Sequence, residues 1–185
     1  MGEPPVNERA LGPNEFALLG ILRVRGPLHG YEMARSIARD LADVCPTEQS
    51  TLYTYLRALE GRGMVAWHEE RVGQNPPRKV FALTESGREA VDEWLARPVA
   101  RIREVRLDFL LKLYFLGQQD PAAERDLIAA QIVECEAYLR GLEARAASTR
   151  FGRMVLDSKR TGAEGTLAWL RHCQAAAEAE AGAAT

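Results

Sequence analysis

Residues 47–84 read TEQSTLYTYLRALEGRGMVAWHEERVGQNPPRKVFALT, and the spacing of the apolar residues changes midway through the stretch. From a start near Thr47, a residue type that caps helices, Leu52, Leu56 and Leu59 recur at helical spacing with Tyr55 beside them, to about Gly61. After Gly63 the period falls to two. Val65 and Trp67 alternate with Ala66 and His68, and Phe81 and Leu83 flank Ala82, as residues on a half-buried strand do. The intervening Arg71-Val72-Gly73-Gln74-Asn75-Pro76-Pro77-Arg78-Lys79 holds a glycine and paired prolines that a strand interior rejects, so it is expected to be a hairpin tip.

Upstream, Asn14 can cap a first helix that carries Phe16, Leu18, Leu19, Ile21 and Leu22 as far as Arg25, and Gly26-Pro27 stops it. A second helix is expected from about His29-Gly30-Tyr31, with Met33, Ala34, Ile37, Ala38 and Leu41 at helical spacing. Three short helices followed by a two-stranded hairpin is the layout of a winged helix-turn-helix domain. Downstream, Thr84 caps a fourth helix to about Ala96, and Pro98 breaks it.

Beyond Pro98 no strand pattern occurs. An apolar helix is expected over Arg101–Leu116, closed by Gly117, then one from Asp120-Pro121 to about Thr149 with Ile128, Ile132, Cys135, Leu139 and Leu142 spaced by four and three. Thr161 and Glu164 form a candidate capping box for a last helix holding Leu167, Trp169, Leu170 and Cys173. The expectation is therefore a mainly α chain with a small β-hairpin: a flexible arm over 1–13, a winged helix-turn-helix domain over 14–97, an all-α dimerisation domain over 98–174, and a frayed Ala/Glu-rich tail over 175–185.

The third helix carries the functional reading. Ser50, Tyr53, Thr54 and Arg57 fall at i, i+3, i+4 and i+7 and share the face opposite the leucines. That stripe holds two hydroxyls, a phenol and a guanidinium, and no acid. Such groups hydrogen-bond phosphates and base edges, where a carboxylate would be repelled. Gln49 and Thr51 lie at the helix start, the part of a recognition helix that enters the major groove most deeply. An amphipathic helix whose polar face is merely wet would show a similar stripe. Its position after a tight helix–helix turn and before a hairpin favours recognition, and Arg78 and Lys79 suit a wing that grips phosphate.

Composition bounds the rest. The formal net charge of −2 gives no global basic field, so any positive face toward duplex DNA has to be local. Cys45, Cys135 and Cys173 are odd in number and far apart, which suits neither a disulfide framework nor a zinc site; they read as small apolar residues of a cytoplasmic protein. His29, His68 and His172 are scattered, with no metal-ligand spacing, nucleophile elbow or phosphate loop, so no enzyme, metal or cofactor is expected. No segment resembles a signal peptide or reaches the roughly 20 apolar residues of a membrane span. Trp94, Phe109, Tyr114 and Trp169 could line a small-molecule effector pocket, although aromatics at helical spacing also serve as core. A protein–protein adaptor built on a winged helix is the competing reading.

Several segments in order carry a resemblance: Leu18-Leu19-Gly20-Ile21-Leu22, then Gly26-Pro27-Leu28-His29-Gly30-Tyr31-Glu32, Ser50-Thr51-Leu52-Tyr53, Leu56-Arg57-Ala58-Leu59-Glu60, Gly63-Met64-Val65, and Pro77 through Arg88. Over about Asn14–Trp94 the chain resembles the PadR family of bacterial transcriptional regulators. Val80 stands where that family often has an aromatic. The resemblance implies a winged-helix homodimer that usually represses and is released by a small molecule or other signal, with Tyr31 and Tyr53 lying against DNA. The tail resembles, in character, the longer subgroup, in which this region builds the dimer. Physically, the helix at 101–116 carries more apolar bulk than one small domain needs, and Leu110, Leu113, Ile132 and Leu139 are the candidate interface residues.

Overall fold

The computed structural model describes residues 10–71 and 77–183, which divide into two compact units, Met1–Leu95 and Ala96–Thr185. Most of the expected arm and residues 72–76 of the expected hairpin tip lie outside the described residues.

In the first unit, α1 (Pro13–Arg25) starts one residue before the expected cap. Pro13 occupies the first helical position, and the Gly12 N–H donates to Glu15 Oε2 at 2.7 Å. Asn14 caps nothing. Its Nδ2 donates to Tyr55 Oη at 2.9 Å, and its Oδ1 accepts from Cys45 Sγ, which ties α1 to the buried side of α3. Gly26, at φ 77°, ends the helix in backbone space that favours glycine. A two-residue strand, β1 (Leu28–His29), then leads into α2 (Gly30–Asp40).

The helix α3 (Gln49–Gly61) starts after Glu48, and Thr47, expected as its cap, donates instead to the Cys45 carbonyl at 3.2 Å. The strands β2 (Val65–Glu70) and β3 (Arg78–Leu83) pair antiparallel, and β1 adds to the free edge of β3 through Leu28 opposite Phe81 and His29 opposite Val80. The sheet therefore has three strands, not two. Two residues are too short to display a period. Arg78 and Lys79 also leave the expected tip and stand within the ladder, opposite Glu70 and Glu69.

Thr84 closes the domain as a cap of α4 (Glu85–Ala96). Its hydroxyl accepts from the Gly87 N–H at 3.1 Å and donates to the Gly63 carbonyl at 2.6 Å. Leu18, Leu19, Met33, Leu52, Leu56, Leu59 and Val91 are fully buried at the centre, and Phe16 stacks on Trp94 with ring centroids 4.5 Å apart.

The second unit is helical throughout. The helix expected over Arg101–Leu116 is split: a 3-10 turn at Ile102–Arg106 precedes α5 (Asp108–Gln119), which runs through Gly117. Asp120 ends α5 and caps α6 (Pro121–Glu143), its carboxylate accepting from the Ala123 N–H at 2.9 Å. The helix α6 stops at Glu143, one residue past its last buried leucine, Leu142.

The last helix, α7 (Arg150–Ala183), is much longer than the sequence pattern suggested. Thr149 caps it, accepting from the Gly152 N–H at 3.0 Å, so Thr161 and Glu164 are exposed mid-helix residues and form no capping box. The Ala/Glu-rich end, expected to fray, continues the helix to Ala183, in keeping with the high helix propensity of both residue types. Within this unit two buried polar side chains hold the backbone before the 3-10 turn. Gln131 pairs with both the N–H and the carbonyl of Val99, at 2.7 and 3.0 Å, and the Lys112 ammonium donates to the Arg97 carbonyl.

Candidate nucleic-acid interface

The buried leucines of α3 fix the orientation of its outer face. With Leu52, Leu56 and Leu59 at 0 % exposure, Gln49, Ser50, Thr51, Tyr53, Thr54 and Arg57 are all exposed. The Thr54 hydroxyl donates to the Ser50 carbonyl at 3.3 Å, and Arg57 Nη2 donates to Thr54 Oγ1 at 3.4 Å. The guanidinium is thus aligned along the helix by a neutral hydroxyl, and its charge is not cancelled by an acid of the stripe. The helix's acids, Glu48 and Glu60, stand at its two ends.

Tyr53 turns from this stripe toward α2. It lines a cleft of about 700 Å³ together with Gly30, Tyr31, Arg35, Arg78 and Lys79, and with His29, Glu32 and Phe81. Tyr31 is 64 % exposed and Tyr53 39 %, so two phenols and three cations face one concavity. Phenols and guanidiniums donate readily to phosphate oxygens, and a ring can also cover an apolar base edge. Gly30 makes the arrangement possible: a Cβ there would lie 2.7 Å from Tyr53 Cε1 and Oη.

The wing is braced from the same corner. His29 faces the Lys79 carbonyl through Nδ1 at 3.3 Å and Glu70 through Nε2 at 3.3 Å, which links the start of α2 to both long strands. Lys79 Nζ lies 3.4 Å above the Trp67 ring, whose Nε1 donates to Glu60 at 2.7 Å. The two wing cations therefore sit beside acids and an aromatic face, held in position with their fields partly compensated. Arg35 and His29 were absent from the sequence-derived site. Arg35 lies one turn after Tyr31 on α2, which was the available signal, and β1, which carries His29, is too short to be legible.

The aromatics considered for an effector pocket each pack against another ring of their own unit. Trp94 stacks on Phe16 in the first unit. In the second, Phe109 is fully buried with its ring edge-on to Trp169 at 6.3 Å, and Tyr114 packs edge-on to Phe115 at 5.1 Å. Trp169 lines a cavity of about 320 Å³ with Val105, Arg106, Leu110 and Thr166, opened on the α7 side by Gly162 and Gly165. Leu110, Leu113, Ile132 and Leu139 are all half-buried. All three cysteines are free; Cys45 and Cys135 are buried, and burial raises the Cys135 and Cys173 thiols above their ordinary pKa. Among the described residues no His, Cys, Asp or Glu cluster could hold a metal ion, and no helix is long and apolar enough to cross a membrane.

Comparison with known proteins matches residues 18–93 to the model of the transcriptional regulator PadR-like family, and residues 105–178 to that of the virulence activator alpha C-term. The negative transcriptional regulator PadR of Bacillus subtilis is 28% identical over 129 residues, 70% of each chain. The probable transcriptional regulator Rv1176c of Mycobacterium tuberculosis is 28% identical over 128 residues, 63% of this chain and 68% of that one. The crystal structure of Bacillus subtilis PadR in complex with operator DNA aligns with 91% of this chain and 99% of that chain, at 24% identity and a TM-score of 0.48.

Proposed function

We propose that this chain, whose residues 18–93 match the model of the transcriptional regulator PadR-like family, is a DNA-binding repressor that holds a palindromic operator as a homodimer. The observation that carries the reading is the acid-free exposed stripe Ser50, Tyr53, Thr54 and Arg57, continuous through Tyr53 with a cleft that presents Tyr31, Arg35, Arg78 and Lys79. In this reading α3 enters the major groove, its first turn (Gln49, Ser50, Thr51) and Tyr53, Thr54 and Arg57 meeting base edges, while Tyr31, Arg78 and Lys79 hold phosphate. Repression is supported by the Bacillus subtilis relative, which is a negative regulator. A homodimer doubles the half-site energy that one small winged helix supplies, and Leu110, Leu113, Ile132 and Leu139 are half-buried apolar side chains available for that contact.

A small-molecule effector completes the reading, seated against Trp169 in the 320 Å³ cavity, with Phe109 behind the ring. That volume suits a compact ligand.

The deciding experiment is selection of duplexes from a random pool by the full chain, followed by titration of the recovered site at several salt concentrations. A palindromic site whose log Kd rises steeply with log salt supports the reading. No retained duplex, with no salt dependence, would leave the winged helix as a protein-docking module.

A further inference from the structure

His29 ends β1 and stands at the start of α2, and both nitrogens of its ring face acceptors. Nδ1 lies 3.3 Å from the Lys79 carbonyl on β3, and Nε2 lies 3.3 Å from Glu70 Oε2 on β2. A carbonyl and a carboxylate have no proton to donate. A neutral imidazole has one N–H, so it serves one of the two and turns a lone pair toward the other. An imidazolium has two N–H groups and serves both. The site fits the charged ring, whichever tautomer the neutral ring would take.

His29 also lines the cleft that holds Tyr31 of α2 and Tyr53 of α3, with its side chain 23 % exposed. Arg35 of α2 and Arg78 and Lys79 of β3 line the same space, and these three cations oppose a further positive charge. Two acids offset them: Glu70, and Glu32 of α2, whose Oε2 accepts from the His29 backbone N–H at 3.1 Å. In the free chain the second proton on the ring is therefore set between opposing neighbours. A phosphate in the cleft tips this balance. It compensates the cations and brings a negative charge that favours the imidazolium.

We infer that His29 is a positioning residue for DNA binding, and that it takes up a proton as the phosphate backbone enters the cleft. Charged, it ties the start of α2, and with it Tyr31, to β2 and β3 at once. Neutral, it lets one of the two strands go. Proton and phosphate favour each other reciprocally, so affinity for duplex DNA rises as pH falls through the range in which histidines gain charge. The inference rests on the DNA-binding reading of this cleft and adds a proton to it. His68, opposite Val80 on β2, and His172, on α7, do not line the cleft and serve as internal references.

Titration of the full chain with a mixed-sequence duplex at low salt, and with the selected operator, tests it between about pH 6 and about pH 8. Wild type should lose about tenfold in affinity over that range as the proton is given up. His29→Gln keeps a donor amide but cannot take the charge, so its affinity should stay flat. Glu70→Gln, at a half-exposed position, offers an amide that donates to a neutral ring, and should flatten the step with the melting curve unchanged. In proton NMR, adding duplex should raise the titration midpoint of the His29 ring by about one pH unit, the equivalent of that tenfold, and leave His172 in place. An equal pH step in wild type and His29→Gln, or a His29 midpoint that duplex does not move, overturns the inference while DNA binding stands. A chain that binds no duplex at any pH overturns the DNA reading, and the proton linkage with it.

Discussion

The Tyr53 ring packs against the backbone of Gly30, so closely that a single added methyl would stand 2.7 Å from its Oη and Cε1. The contact joins the start of α2 to the exposed stripe of α3, and what gives way on substitution is the far end of a partly exposed side chain. Gly30→Ala should therefore leave thermal stability nearly unchanged while turning Tyr53 out of the cleft, at a cost of about tenfold in operator affinity, roughly 1.4 kcal/mol. In a Tyr53→Ala background the same change should cost nothing further, since the displaced ring is gone. Gly87 behaves oppositely. A Cβ there overlaps the Met64 carbonyl, a backbone atom, so Gly87→Ala should lower the melting temperature instead.

Tyr53 and Arg57 share the acid-free face of α3. Replacing either by Ala should weaken operator binding by about 1–3 kcal/mol, with the unfolding transition in place. Gel-shift titrations alongside melting curves check this. Unchanged affinity in both variants means another surface reads the DNA.

For the wing, the cross-strand register tempers the expectation that cations alone suggest. Arg78 stands opposite Glu70 and Lys79 opposite Glu69, and Lys79 also sits over Trp67. The double Ala variant should lose affinity for specific and random duplexes alike, because phosphate contacts carry no base information. The slope of log K against log salt should fall by about one to two. A shifted sequence preference at constant slope would show that the wing reads bases.

The winged helix was legible because its signals are long: α3 spans three turns with a clean leucine period, and Thr84 caps α4 as its type suggests. The misses share a form: a residue type suited to capping a helix takes another place in the structure. Asn14 bonds Tyr55 rather than capping α1, Thr47 bonds Cys45, and Thr161 rides inside a helix begun twelve residues earlier by Thr149. The stripe of the candidate site is visible from spacing alone. The cleft is not, because it depends on Gly30, Arg35 and the two-residue β1 meeting Tyr53 across long sequence separations.

Lys112 gives a pH signature. It is almost fully buried, and desolvation lowers its pKa to about 8 against the opposing pull of Asp108 and Glu104. Below pH 8 both folded and unfolded chains carry the charge, and burial penalises the folded one. Between about pH 8 and the ordinary value of 10.5, the folded lysine is neutral while the unfolded one keeps its proton, so stability rises with pH. Cys135 and Cys173, with raised pKa values, act in the opposite direction above pH 9. The difference between wild type and Lys112→Met isolates the lysine. Urea midpoints should move in favour of wild type from pH 7.5 to 10, and a constant gap across that range refutes the assignment.

The last prediction concerns what each unit does alone. The first unit contains its own apolar centre, from Leu18 to Val91, and Thr84 and Gly63 close it without any residue beyond α4. A fragment ending at Ala96 should therefore fold and unfold cooperatively. It should also sediment as a monomer at micromolar concentration, because Leu110, Leu113, Ile132 and Leu139 are removed with the helical unit. Its affinity for a full palindrome should drop to that of a half-site, since the second recognition helix is no longer delivered by the same particle. In the full chain, Leu113→Asp should produce the same loss of association, because a carboxylate covered at an apolar contact costs several kcal/mol unless paired. Circular dichroism separates a split dimer from an unfolded unit. A fragment that remains dimeric would assign self-association to the winged helix and leave the helical unit with another task.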